Sequence, residues 1–273
     1  MRRLYYFLGF ACFAASALIF SHTFFPAEKI ANNVLFEADD SGFEETYHIG
    51  FAMPKNGLRR GTVYLPEYSE REEACMRGFA AHFGMGDVFI TEQHDFFEAQ
   101  DADGVLRMYK YIDYLEFENL AERHSAEAVT DCRAAEIAQS FLNKNLPGGV
   151  AALAPFDVKV SRDDSHITVK LISYLSNLPN HAFPTEVVMD FYGNMMSAKH
   201  FYFEYEALDH ADVITMRAAL GRLPDDVDKK IHLTGYQLIY DFEHSVLMPV
   251  YRFWGHAADG TDFEWDVSAL KFY

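Results

Sequence analysis

Cysteine is scarce. Three residues in 273 are too few for a disulfide framework. Proline (9) and glycine (16) are also sparse, which excludes a fibrous chain, and 50% hydrophobic content excludes a disordered one. Positive charge is short as well: 23 Lys and Arg against 41 Asp and Glu leave a formal charge of −18. A surface this acidic repels phosphate backbones, so nucleic acid is not an expected partner. The signatures G-x-S-x-G, P-loop, HExxH and Cys-x-x-Cys are all missing. Twelve histidines are present, but no spacing makes them converge as ligands. His94 and Glu98 are four apart on a segment that reads as extended, which puts ~13 Å between their backbones. His200 and His210 flank a strand end without further ligands. The acids Glu92, Asp95, Glu98, Asp101 and Asp103 read as a solvated edge rather than a glycosidase pair. No catalytic residue, metal or cofactor is expected, and the chain is not read as an enzyme.

What is present begins at the amino terminus. Arg2 and Arg3 precede Leu4–Ala27, 24 residues without Asp, Glu, Lys or Arg. About 20 helical residues cross the ~30 Å hydrocarbon layer. Residues 1–27 therefore read as an uncleaved signal anchor, with the amino terminus cytoplasmic and the body outside the cell membrane. Two alternatives stay open. Ala15-Ser16-Ala17 is a small-x-small triplet of the kind that signal peptidase cuts, although the apolar run continues past it. Cys12 is a possible lipidation site, although Phe10 fits such a site poorly. Ala11 and Ala15, like Cys12 and Ser16, are four apart. Small residues at this spacing flatten one helix face and admit a second helix, so these four are the candidate packing residues within the membrane. Outside it, Cys75 and Cys132 are either paired or free.

The rest alternates short helices with period-two runs. Residues 28–68 read as a tether entering a strand near Gly61–Leu65. Ser69-Glu70-Arg71-Glu72 has the form of a capping box ahead of a helix carrying Cys75, Met76, Phe79, Ala80 and Phe83. Two extended runs, Val88–Phe97 and Val105–Phe117, flank the turn Asp101-Ala102-Asp103-Gly104. A second helix is expected over about 131–145, and a third near 215–222 with Thr215 as N-cap. Four strands separate these two helices, the last marked by Phe201, Phe203 and Tyr205. Three more close the chain: Ile231–Phe242, Val246–Trp254 and Phe263–Val267. The segment 231–255 lies over 167–193 with an offset near 64 residues, and each carries an apolar-Pro pair, Met248-Pro249 or Phe183-Pro184. The expected fold is α+β: an N-terminal transmembrane helix, then repeated small modules of antiparallel sheet with a packed helix. The expected divisions are 1–27, a first ectodomain unit over 28–125, and a duplicated region over 126–273 with modules of about 126–210 and 211–273.

This order of elements resembles the YycI/YycH regulatory proteins, extracytoplasmic accessories of a two-component sensor histidine kinase. The resemblance is carried by Thr215-Met216-Arg217-Ala218-Ala219-Leu220, by Leu233-Thr234-Gly235-Tyr236 and by Leu247-Met248-Pro249-Val250-Tyr251-Arg252-Phe253, which look like the family's PepSY-like closing module. Phe263–Leu270 keeps the final aromatic strand but lacks the usual terminal glycine. The resemblance implies regulation by contact, with the sensor kinase, a related accessory membrane protein, or both as partners. The alternatives are a PepSY-type protease inhibitor or chaperone acting through a sheet edge, and an extracellular hydrolase. Tyr251, Phe253, Trp254 and Trp265 form the richest aromatic stretch and are the candidate partner surface, although strand alternation sends every second one toward a core.

Overall fold

Period-two alternation governs most of the chain, and strands dominate the outcome. The computed structural model describes residues 46–271 apart from 55–56, 59, 68–70, 122–126 and 225–228. The expected anchor, with Ala11, Cys12, Ala15 and Ser16, lies outside the described residues. Among these, no helix is long and apolar enough to cross a membrane. The architecture is mixed α+β, mostly sheet with few helices.

In chain order the elements are β1 (Tyr47–Ile49), β2 (Arg60–Glu67), α1 (Glu73–His82), β3 (Ile90–Glu92), β4 (Phe96–Gln100), β5 (Gly104–Tyr109) and β6 (Tyr114–Asn119). There follow α2 (Asp131–Asn145), β7 (Phe156–Arg162), β8 (Ile167–Leu175), β9 (Leu178–Pro179), β10 (Thr185–Met189) and β11 (Met195–Phe201). The chain closes with β12 (Glu204–Asp212), α3 (Met216–Leu220), β13 (Ile231–Glu243), β14 (Val246–Ala257) and β15 (Asp262–Ser268). Nine strands form the larger sheet in the order β3-β4-β5-β6-β11-β10-β8-β7, with β9 attached to β8. Six form the smaller one in the order β1-β13-β14-β2-β12, with β15 attached to β14. Every named strand pair is antiparallel except β1 on β13, which is parallel.

Helices α1 and α2 cover one face of the larger sheet. Met76 and Ala80 of α1, and Ala134, Ala138 and Leu142 of α2, pack with Phe97, Leu106, Met108, Leu115, Val169, Leu171, Val187 and Met189. The alanines matter because a small side chain lets the helix axis approach the sheet. Each fully buried large side chain is worth about 1.5–3 kcal/mol of burial. Helix α3 does the same for the smaller sheet through Met216, Ala219 and Leu220, against Tyr251, Phe253 and Val267.

Several expectations change at this resolution of detail. Helix α1 begins at Glu73 with Glu72 itself in the N-cap position and without a side-chain cap bond, so Glu72 does not stand at the N3 position of the expected capping box. By contrast, Thr130 caps α2 by accepting from Arg133 N at 3.3 Å, and Thr215 caps α3 by accepting from Ala218 N at 3.2 Å. The run 88–97 breaks at 93–95, between β3 and β4. The run 105–117 breaks at 110–113, where Asp113 takes a φ of 44°. A buried carboxylate permits this turn: Arg71 Nε donates to Asp113 Oδ1 at 2.6 Å. The run Phe201–Tyr205 breaks at 202–203, where the chain leaves the larger sheet for the smaller.

Candidate interaction surface

The face of the larger sheet turned away from α1 and α2 is built by the same alternation that builds the core. Phe97, Met108, Leu115 and Ala198 point toward the helices. Their neighbours Phe96, Tyr109, Tyr114 and the alternate residue Phe201 therefore point the other way. Strand register aligns them. Phe96 is opposite Tyr109, and Tyr114 is opposite Phe201. Ring centroids lie 5.6 Å apart for Phe96–Tyr109, 5.1 Å for Tyr109–Tyr114 and 4.7 Å for Tyr114–Phe201. The stripe continues through Phe183, 5.1 Å from Phe201, and from there to Phe242 of β13 at 5.3 Å. These centroid distances fall in the range of favourable aromatic pairs, about 4.5–7 Å. All members except Phe242 are half-buried, and Phe242 is exposed. At the open end, the β5–β6 turn adds exposed Tyr111 (51%) and Ile112 (44%). Burial and the nearby Glu116 push the Tyr109 and Tyr114 hydroxyls above the ordinary phenol range, so both remain neutral donors.

Beside the aromatic stripe runs a rung of charge. Glu98, Arg107, Glu116, Lys199, Glu186, Lys170 and Lys159 are successive cross-strand partners over seven strands. The first six alternate in sign. Arg107 Nε donates to Glu98 Oε2 at 2.8 Å and Lys170 Nζ to Glu186 Oε1 at 2.7 Å, while Arg107 Nη1 lies 3.5 Å from Glu118 Oε2. Opposite charges in direct register stabilise a sheet by a few tenths of a kcal/mol each, up to ~1. With Glu118 and Asp157 included, this face carries five acids and four bases. It is thus nearly neutral on a chain whose formal charge is −18.

At its far end the stripe meets the smaller sheet. Asn180 N donates to Ser173 O at 2.8 Å and Asn180 Nδ2 to the Tyr205 hydroxyl at 3.0 Å, while His181 N donates to Tyr240 O at 2.9 Å. Arg252 of β14 is half-buried and binds Asp266 through Nε at 2.8 Å and Asp241 through Nη2 at 2.7 Å. Burial first, then the Arg252 guanidinium, hold His181 below the ordinary imidazole value. The neutral ring leaves Nδ1 free to accept from Arg252 Nη1 at 3.1 Å. Burial likewise drives His200, on the helix-covered side of β11, down to about 4, and its Nδ1 lies 2.9 Å from Thr185 Oγ1.

The four aromatic residues singled out in the sequence do not form one surface. Tyr251 (4% exposed) and Phe253 (0%) lie in the core under α3. Their alternation along β14 turns them inward, which corrects the expectation that they face a partner. Trp254 (38%) and Trp265 (45%) are exposed. Trp265 is the cross-strand partner of Phe253 and so shares the α3 side, whereas Trp254 lies on the opposite side. Trp254 packs on Gly235, where an added Cβ would sit 2.5 Å from the indole. Cys75 and Cys132 are free, exposed thiols. Among the described residues no group of three or more His, Cys, Asp or Glu is arranged to hold a metal ion. His94 lies in the β3–β4 turn, paired with the neighbouring Asp95.

Sequence reasoning placed Phe96, Tyr109, Tyr114 and Phe201 in extended runs, with Tyr109 and Tyr114 in a single one, and did not show the stripe. Phe201 was visible as an alternating residue; that β6 and β11 are neighbours was not, because that pairing joins segments about eighty residues apart. No family model matches the chain, and no curated protein matches it.

Proposed function

We propose that this chain is a membrane-anchored extracytoplasmic module that works by contact, modulating a two-component sensor histidine kinase through its membrane helix and through the uncovered face of its larger sheet. The observation that carries the reading is that face: a half-exposed aromatic stripe beside a nearly neutral charge rung, on an otherwise strongly acidic chain. A few residues carry most of the energy of a protein contact and tyrosine is enriched among them, and a locally balanced patch is where a partner meets least repulsion. The kinase as partner rests on the resemblance of the closing module. In the same reading α2 with β7, β8, β10 and β11 is one helix-on-meander module, and α3 with β13, β14 and β15 is its shorter copy. Both helices start from a threonine cap, and Ile167 and Ile231, at the 64-residue offset, both open a strand and are both buried.

The test uses the full chain, with an intact amino terminus, in membranes that contain the histidine kinase. Co-purification of the kinase is expected. Replacing Ala11 and Ala15 with Leu should weaken it, because two bulky side chains separate closely packed helices. Recovery that is equal for both forms of the chain counts against the membrane contact, and no recovery at all counts against the kinase. A second reading has one observation in its favour. Strand β7 is an edge strand with mostly exposed side chains, the geometry a protease-inhibiting or chaperone module uses to add a strand from its client.

A further inference from the structure

The smaller sheet ends on one side in β1, a three-residue strand and the first described element of the chain. It is held to β13 in parallel register, Tyr47 opposite Ile231, His48 opposite His232 and Ile49 opposite Leu233, and the next amide, Gly50 N, donates to Leu233 O at 2.8 Å. Register carries the middle rung further. His232 is opposite His256 of β14, and His256 is opposite Asp262 of β15. Three imidazoles thus stand side by side on three adjacent strands. The His48 and His232 rings lie 20° from parallel with centroids 4.7 Å apart, and His256 follows at 5.1 Å. With Lys230 they line an open cleft of about 320 Å³.

The decisive contact is between like atoms. His48 Nδ1 and His232 Nδ1 are 2.7 Å apart, a hydrogen-bond distance. One nitrogen must carry the hydrogen and the other must offer a lone pair. The donor ring can take a further proton on Nε2 and keep the bond. The acceptor ring already carries hydrogen on Nε2, so its next proton must go to Nδ1, where it collides with the donor. The docked pair therefore holds one positive charge at most, and the undocked pair holds two. Histidine is the side chain whose charge changes between pH 5 and 8. The undocked state binds one more proton, so acid favours undocking, by up to about tenfold per pH unit below the titration range.

We infer that the His48–His232 contact, extended by His256, is a proton-responsive clasp on β1 that fastens the chain leading from the amino terminus at neutral pH and loosens it in acid. The other charged groups around it pull both ways. Lys230 on the β13 side adds positive charge, while Asp262 and Glu264 of β15 add negative charge, and Asp259 in the β14–β15 turn is engaged with Lys229 at 2.6 Å. Apolar contacts resist release: Tyr47 is buried and donates through its hydroxyl to Pro224 O at 2.7 Å, and Phe51 packs on Tyr236 with centroids 5.0 Å apart. Acid thus raises the open population of β1 and leaves the sheet beneath it intact.

Amide hydrogen exchange on the full chain in detergent, with EDTA present, tests this at pH 7.5 and pH 5.5, with rates corrected for their intrinsic pH dependence. Protection at residues 47–50 should fall about tenfold or more at pH 5.5, while amides of the β13–β14 hairpin hold. His48→Gln and His232→Gln should each abolish the difference, because an amide side chain can turn to accept from a protonated partner. Equal protection at both pH values in the natural chain overturns the inference. So does a loss at pH 5.5 that is the same in both Gln variants.

Discussion

At the scale of single residues, the least comfortable polar group is the Tyr202 hydroxyl. Its oxygen is buried and has no hydrogen-bond partner among the described residues. The ring itself is well used: the Arg71 guanidinium lies 4.9 Å above it and Phe79 packs beside it at 5.4 Å. Burial pushes the phenol far above its ordinary range, so it stays neutral. Leaving a buried hydroxyl unpaired costs about 1–3 kcal/mol, and removing it keeps the ring contacts. Tyr202→Phe should therefore raise the denaturant midpoint, by roughly 1 kcal/mol of stability. A clear loss of stability would mean that the oxygen has a partner after all. Trp254 carries a different lesson at this scale. Its exposure follows from alternation on β14, but its seat on Gly235 depends on a bulge between Leu233 and Gly235 that shifts the register. A sequence shows the glycine and not the bulge.

At the scale of elements, the hairpin of β13 and β14 organises the smaller sheet, and its turn is not ideal. His244 and Ser245 both adopt positive φ, 50° and 69°, as a two-residue hairpin turn of the favoured hand requires. Neither is glycine or asparagine, the residues that enter this region at little cost. Ser245→Gly should stabilise the protein by about 1 kcal/mol, seen as a higher melting temperature with an unchanged circular dichroism spectrum. A lower melting temperature would show that the Ser245 side chain holds the turn. The elements also mark how far the sequence could be read. Helix α2 was legible, expected over about 131–145 and found at Asp131–Asn145, because its apolar stripe is regular and Leu146-Pro147-Gly148 ends it; its Thr130 cap was not singled out. Strands β13 to β15 were legible from alternation. The breaks at 110–113 and 202–203 were not, because aromatic and aliphatic residues run on through both. In the first, a buried Asp113–Arg71 pair turns the chain where no glycine does; in the second, the chain passes between sheets without losing alternation. The parallel pairing of β1 joins residues nearly two hundred positions apart and leaves no local trace.

At the scale of the whole molecule, two sheets of unequal size are each covered on one side by short helices. Among the described residues no helix lies on the other face of the larger sheet, and most of the acidic charge lies elsewhere. This face follows from ordinary alternation on eight strands, and it needs no residue of unusual type. Its single residues could be read from the sequence, but their union could not, since the partners of β11 are set by packing. The proposed role joins this face to the amino-terminal segment: one end held in the bilayer, the other free to meet a partner. The most direct measurement places a photo-crosslinking residue at Tyr111, at the open end of the aromatic stripe, in the full chain within membranes that contain the histidine kinase. The same residue at Asp164, in the exposed β7–β8 turn, serves as the control. The account predicts a crosslink to the kinase from position 111, absent from position 164 and lost when Tyr114 is replaced by Glu. Crosslinking of equal yield from both positions, or none from position 111 while the kinase still co-purifies, would contradict it.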